Sequence, residues 1–87
     1  MIERVAAWIE RYFQNPQRYR VFPQVRPGDV IGALPTEAPE RGEQFETIFA
    51  DFERIVVAAT THWNHPRFFA YFATSAAPVA VAAEALA

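Results

Sequence analysis

The residues predict a mainly α chain, with about three helices and a long connector rich in proline and glycine. Three observations carry that expectation. Apolar residues recur at three- and four-residue steps in two stretches, 2–14 and 43–57. The closing stretch, 79–87, is dominated by alanine, the strongest helix former. Five of the seven prolines and all three glycines fall between 16 and 42, where they break regular structure rather than extend it.

The first helix is expected over 2–14. Ile2, Val5, Ile9, Tyr12 and Phe13 share one face, with Ala6 and Trp8 filling in. Glu3 near the start and Arg11 near the end suit the helix dipole. Pro16 ends it, because the residue before a proline is pushed out of the α region. The stretch 16–42 is expected to be connector without a regular element. Within it, Arg26-Pro27-Gly28-Asp29 reads as a turn. Proline presets φ at the second position and glycine tolerates positive φ at the third.

The second helix is expected over 43–57. Phe45, Ile48, Phe49, Phe52, Ile55 and Val56 form its apolar face. Glu43 and Glu46 fall in its first turn, where acids are favoured. Neither helical period nor alternation fits 60–75. A last helix follows, with Ser75 as its expected N-cap and Pro78 in its first turn, where a missing N–H costs nothing. It runs to Ala87 without a capping glycine or a charged last turn, as a helix cut short by the end of the chain would.

Composition narrows the function classes. The chain is 52% hydrophobic, which no disordered segment would be. Yet a chain of 87 residues buries only roughly 60–65% of its unfolded surface. Eight Phe, two Trp and three Tyr are more than so small a core hides, so part of the aromatic surface is expected to meet another chain or domain. There is no cysteine, which removes disulfides and thiolate metal sites. The formal charge of −2 gives no electrostatic case for nucleic acid or an anionic membrane. No apolar run reaches the roughly 18 residues of a membrane span, and no secretion signal opens the chain. A cytoplasmic location is expected. All eight basic residues are arginine. Chemistry that needs a primary side-chain amine must therefore come from elsewhere.

Few constellations carry chemistry. His62 and His65 are three apart, but a metal site needs a third or fourth ligand in register, so no metal site is expected. They read better as hydrogen-bonding residues at an interface or a pocket rim. No glycine-rich phosphate loop is present, and Glu43 and Glu46 sit where solvated helix residues belong. Trp63, Phe68, Phe69, Tyr71 and Phe72 crowd together with two histidines and an arginine. Such a cluster is either an aromatic core plug or one wall of a pocket for a flat ligand. Composition leaves both open.

The stretch Thr61-His62-Trp63-Asn64-His65-Pro66-Arg67-Phe68-Phe69-Ala70-Tyr71-Phe72 resembles the T-H-W-x-x-P-x-F-F-A-Y-F signature of group II pyridoxal-phosphate (PLP)-dependent amino-acid decarboxylases. That group includes the aromatic-L-amino-acid, tyrosine and histidine decarboxylases. Val21-Phe22-Pro23-Gln24-Val25-Arg26-Pro27-Gly28 is similar to the group's V-x-P-x-V-x-P-G connector. Leu34-Pro35 and Ala38-Pro39 resemble its L-P-x-x-x-P stretch. The likeness runs in order along essentially the whole chain.

The resemblance implies that residues 1–87 form the N-terminal helical dimerisation segment of a fold-type I enzyme, whose full-length fold is α/β. In that group the segment lies across the second subunit of a homodimer. The implied reaction releases carbon dioxide from an L-amino acid, aromatic by the group's commonest preference, with PLP as cofactor. By the same resemblance Trp63, Tyr71, Phe72 and Thr74 would line the substrate pocket. No residue here matches the group's PLP lysine, stacking histidine or pyridinium-pairing aspartate, so no catalytic or cofactor-binding residue is assigned. With no lysine, the chain by itself is expected to be inactive. It departs from the group at Ala73, where proline commonly follows Tyr-Phe, which bears on loop stiffness and substrate choice. The competing reading is a free-standing, non-catalytic helical protein-interaction module.

Overall fold

The computed structural model describes residues 1–71 and 76–87. The described residues form helices and turns, and no strand is found among them. The chain divides into two compact units, Met1–Val21 with His62–Ala87, and Phe22–Thr61.

In the first unit, helix α1 spans Ile2–Gln14. Val5, Trp8, Ile9, Tyr12 and Phe13 are half-buried along one stripe, as their spacing predicts. Ile2, expected on that stripe, is exposed instead. It lies in the first turn. Asn15 ends the helix with its N–H on the Arg11 carbonyl, and Pro16–Arg18 follows as a single 3-10 turn. The last helix, α4, spans Pro78–Leu86. Its N-cap is Ala77, with Pro78 opening the helix as expected. The expected cap, Ser75, lies outside the described residues. Among the described residues no side chain caps the α4 N-terminus, and Ala80 and Val81 donate to the Ala77 carbonyl. α1 and α4 border an apolar groove of 530 Å³ lined by Ile9, Phe13, Val81 and Ala85.

In the second unit, the expected turn at 26–29 forms. Asp29 N–H donates to the Arg26 carbonyl at 3.1 Å, and the Asp29 carboxylate accepts the Arg26 N–H at 2.8 Å. Gly28 has φ 93° and ψ −16°, the third-position geometry of a type II turn. A Cβ there would strain the backbone. The connector is not free of regular structure, however. Asp29–Ala33 forms a short helix, α2, which starts directly on this turn. Asp29 both closes the turn and places an acid in the first helical turn, which favours helix locally.

Helix α3 spans Phe45–Asp51 and continues as a π-helical segment over Phe52–Val57. Glu46 lies in the first turn, whereas Glu43 precedes the helix. The widened turns change which side chains point inward. Phe49, Ile55 and Val57 are buried, while Ile48 and Val56, expected inside, stand about half exposed. A regular α period puts residues 55 and 56 together; the i→i+5 winding turns Val56 away and brings Val57 in. Phe45, Phe49 and Phe52 form a tilted row, with successive ring centroids 5.6 and 5.7 Å apart and planes 40° and 47° apart. Ile48 and Val56 instead line an open groove of 570 Å³ with Leu34, Pro35 and Phe52. The Thr60 hydroxyl donates to the Val56 carbonyl at 2.7 Å and finishes the helix.

Candidate functional site

The aromatic strip is carried by the turns that follow His62, within the first unit. Its base is a polar and aromatic cluster rather than an apolar core. His62 is 4% exposed. Its ring stacks on Tyr19 at 4.6 Å and 21°, and its Nδ1 lies 2.9 Å from the Tyr12 hydroxyl. Trp8 stacks on Tyr12 at 5.4 Å, one helical turn away. The His62 N–H donates to the Val21 carbonyl, and the His62 carbonyl accepts from His65 N–H. His65 Nδ1 in turn accepts the Arg67 N–H at 2.9 Å, and the His65 carbonyl accepts from Phe68 N–H. Both histidines thus serve in hydrogen bonding, as their sequence context suggests. Among the described residues, no group of three or more His, Cys, Asp or Glu is placed to hold a metal ion.

The Tyr12 hydroxyl titrates above its ordinary value near 10. Burial raises it most, hydrogen bonding by the Asn64 side chain pulls it back, and neighbouring Tyr19 raises it further. Asn64 also reaches forward along the chain. Its Oδ1 accepts the Ala76 N–H at 3.2 Å.

Above this base stand the exposed rings. Trp63 is 51% exposed and lies nearly parallel to Phe68, with centroids 5.6 Å and planes 15° apart. Tyr71 is 82% exposed and lies 6.1 Å and 30° from Trp63. Tyr71 adopts φ 60°, and no other non-glycine residue described has a positive φ. A left-handed tyrosine costs about 1–2 kcal/mol. Phe69 is 89% exposed. The reading of this cluster as a buried core plug therefore fails for Trp63, Phe69 and Tyr71. Phe72, Ala73 and Thr74, the other positions expected here, lie outside the described residues. Sequence reasoning passed over Tyr12, Tyr19 and Asn64 as parts of the site. Tyr12 was assigned only to an apolar helix face, and Asn64 occupied a variable position of the motif.

The Trp63–Tyr71 separation limits what the strip can do. A third ring between them would need about 7 Å, twice the contact distance of stacked carbons. At 6.1 Å there is no room, so a flat side chain must pack on an outer face of the pair. The strip is a wall, not a slot.

Residues 27–87 match the family model described as the pyridoxal-dependent decarboxylase conserved domain. The chain belongs to that family. It is 37% identical over 79 residues to the aromatic-L-amino-acid decarboxylase of Drosophila melanogaster, covering 91% of this chain and 16% of that protein. It is 46% identical over 65 residues to the histidine decarboxylase of the same organism, covering 75% of this chain and 8% of that protein. Among solved structures, it is similar to the 4-hydroxyphenylacetaldehyde synthase of Rhodiola rosea, with TM-score 0.87 and 37% identity over 97% of this chain and 18% of that one. The Oryza sativa TDC solved with PLP gives TM-score 0.90 at 26% identity, over 98% of this chain and 18% of that one. The chain thus spans less than a fifth of the length of these relatives.

The family's cofactor sets a fit test. PLP needs an amine to anchor it, and this chain contains no lysine. Nor is there a glycine-rich phosphate loop. The residues present do not fit PLP as a bound group of this chain on its own.

Proposed function

We propose that this chain serves as the N-terminal segment of a PLP-dependent amino-acid decarboxylase. In that reading it lies across the second subunit of a homodimer in the cytoplasm. It contributes one wall of the pocket that takes an L-amino acid, aromatic by preference. The observation that carries the proposal is the exposed, near-parallel Trp63–Tyr71 pair on a chain whose family match runs from residue 27 to residue 87.

When bound in a whole enzyme of this family, PLP takes up the electron pair left by departing carbon dioxide. This chain's own part is orientation and water exclusion. Trp63 and Tyr71 offer an apolar face on which a flat side chain lies. The Tyr71 hydroxyl can donate to the substrate carboxylate, and by the family resemblance Phe72 and Thr74 would also contact the substrate. The exposed Phe22, Ile31, Leu34, Ile48 and Val56 of the second unit leave an apolar surface suited to a subunit contact.

A graft tests the proposal. Residues 1–87 replace the matching segment of the Bos taurus aromatic-L-amino-acid decarboxylase, which is 39% identical to this chain over 79 residues. The graft is expected to release carbon dioxide from an aromatic L-amino acid, while the 87-residue chain with added PLP releases none. Trp63→Leu and Tyr71→Ala in the graft are expected to lower kcat/KM by about fivefold to thirtyfold, the scale of losing one or two kcal/mol of side-chain contact. If the graft turns over substrate and both substitutions leave kcat/KM unchanged, the pocket role is wrong.

A further inference from the structure

We propose that Asn64, acting with Tyr12 and His62, is a positioning residue that ties the two ends of the aromatic loop to helix α1. The inference concerns how the strip is held. Its bearing on substrate rests on the pocket role assigned to Trp63 and Tyr71 above.

Asn64 Oδ1 accepts the Ala76 N–H at 3.2 Å, which fixes its amide orientation and turns its NH2 group elsewhere. Two positions earlier, His62 Nδ1 lies 2.9 Å from the Tyr12 hydroxyl, and this contact joins the start of the loop to α1.

Placement gives this network its role. Tyr12 sits in the last turn of α1, a rigid element, and is half-buried between Trp8, Phe13 and Tyr19. His62 and Asn64 flank Trp63 on either side in sequence. Ala76 lies at the far end of the same loop and immediately precedes the cap of α4. Two side chains of the network therefore bracket the exposed tryptophan, while the third bond closes the loop over twelve positions of sequence. Exposed rings gain little from their own burial, so their orientation must be set by neighbours that are held. The His62–Tyr12 contact supplies that hold below Trp63, and the Asn64–Ala76 bond supplies it across the loop.

Asn64→Ala removes the acceptor for the Ala76 N–H, whereas Asn64→Asp keeps an oxygen there. Amide hydrogen exchange at Ala76, followed by NMR on the 87-residue chain, is expected to quicken by about tenfold or more in Asn64→Ala, the scale of one lost hydrogen bond. In Asn64→Asp it is expected to stay within about threefold of the parent. Tyr12→Phe tests the other link, and acrylamide quenching of Trp63 in a Trp8→Phe background is expected to rise in both Tyr12→Phe and Asn64→Ala. In the graft, Asn64→Ala is expected to raise KM about tenfold with kcat largely retained, as lost orientation of a binding wall would. Asn64→Asp should recover most of that loss.

Ala76 exchange and Trp63 quenching unaltered by Asn64→Ala would overturn the proposal. So would equal loss in Asn64→Ala and Asn64→Asp. Should the isolated chain prove too loose for exchange measurements, the graft carries the same comparison through KM. The outcomes also separate the two readings. If Trp63→Leu leaves the graft's constants unchanged while Asn64→Ala still frees Ala76, the pocket role fails and the tie stands.

Discussion

The unit Phe22–Thr61 buries Phe49, Ile55 and Val57, with the Phe49 ring between the tilted rings of Phe45 and Phe52. The unit built from Met1–Val21 and His62–Ala87 buries His62, wrapped by Tyr12 and Tyr19 and hydrogen-bonded to the first of them. The first arrangement is held by area removed from water and tolerates small shifts of its parts. The second is held by directed bonds between rings whose polar atoms must meet. The difference matches what each is proposed to do. An apolar row serves a segment that offers broad surface to a neighbour. A hydrogen-bonded aromatic cluster serves a loop whose exposed rings must point one way.

The contrast breaks most readily at Phe49. Phe49→Ala removes the central ring of the row and is expected to destabilise the second unit by about 3–5 kcal/mol. Hydrogen exchange of the amides over 45–57 reads this directly. A loss below about 1 kcal/mol would mean that these rings do not hold that unit.

His62→Leu is the matching test in the first unit. It keeps an apolar group of similar size but leaves the Tyr12 hydroxyl without its acceptor, at a cost of about 2 kcal/mol. The amides of the last α1 turn should exchange faster. An unchanged rate would put the unit's stability in its apolar stripe and erase the contrast.

Alkaline titration sharpens the comparison further. The Tyr12 hydroxyl ionises above its ordinary value near 10, because burial resists the phenolate. Its folded value is raised, so its contribution to stability is complete below pH 10 and is lost as the pH climbs through that raised value. Tyrosinate absorbance should show one late step among the three tyrosines, absent in Tyr12→Phe. The smallest effect is expected at Arg54, whose 2.6 Å pair with Asp51 is solvent-exposed. Arg54→Ala should change the stability of the second unit by less than about 0.5 kcal/mol in a urea melt.

Much of this was legible in the residues. The stripe of α1, its end before Pro16, the type II turn at Gly28 and the proline at the start of α4 all follow from local rules, and all are found. What escaped had non-local causes. Helix α2 hides in a proline- and glycine-rich stretch because five residues are too few to show a period. The exposure of Val56 depends on π winding, which no α-based period anticipates. The family motif pointed to Trp63 and Tyr71 as pocket residues, and both are exposed, which does not fit a buried plug. The partnership of Tyr12 with His62 joins positions fifty residues apart, and single-chain pattern reading has no means of pairing them. Asn64 was missed for a different reason. Its partner Ala76 contributes only a backbone N–H, which leaves no mark on the side-chain pattern.

The π winding over Phe52–Val57 also makes this stretch tolerant of a shorter chain. Excising one outward residue there, such as Val56, would let the turn close as an ordinary α-helix and bring Ile55 and Val57 next to each other in sequence. The backbone would bear this change easily, since it regains a shorter hydrogen-bond spacing. The residues beyond would nearly keep their bearing, because the widened turn already absorbs the extra residue. The Ile55 carbonyl would then stand four positions before Thr60 and take over its hydroxyl from Val56. A single-codon deletion here would leave both the helix and its exit in place.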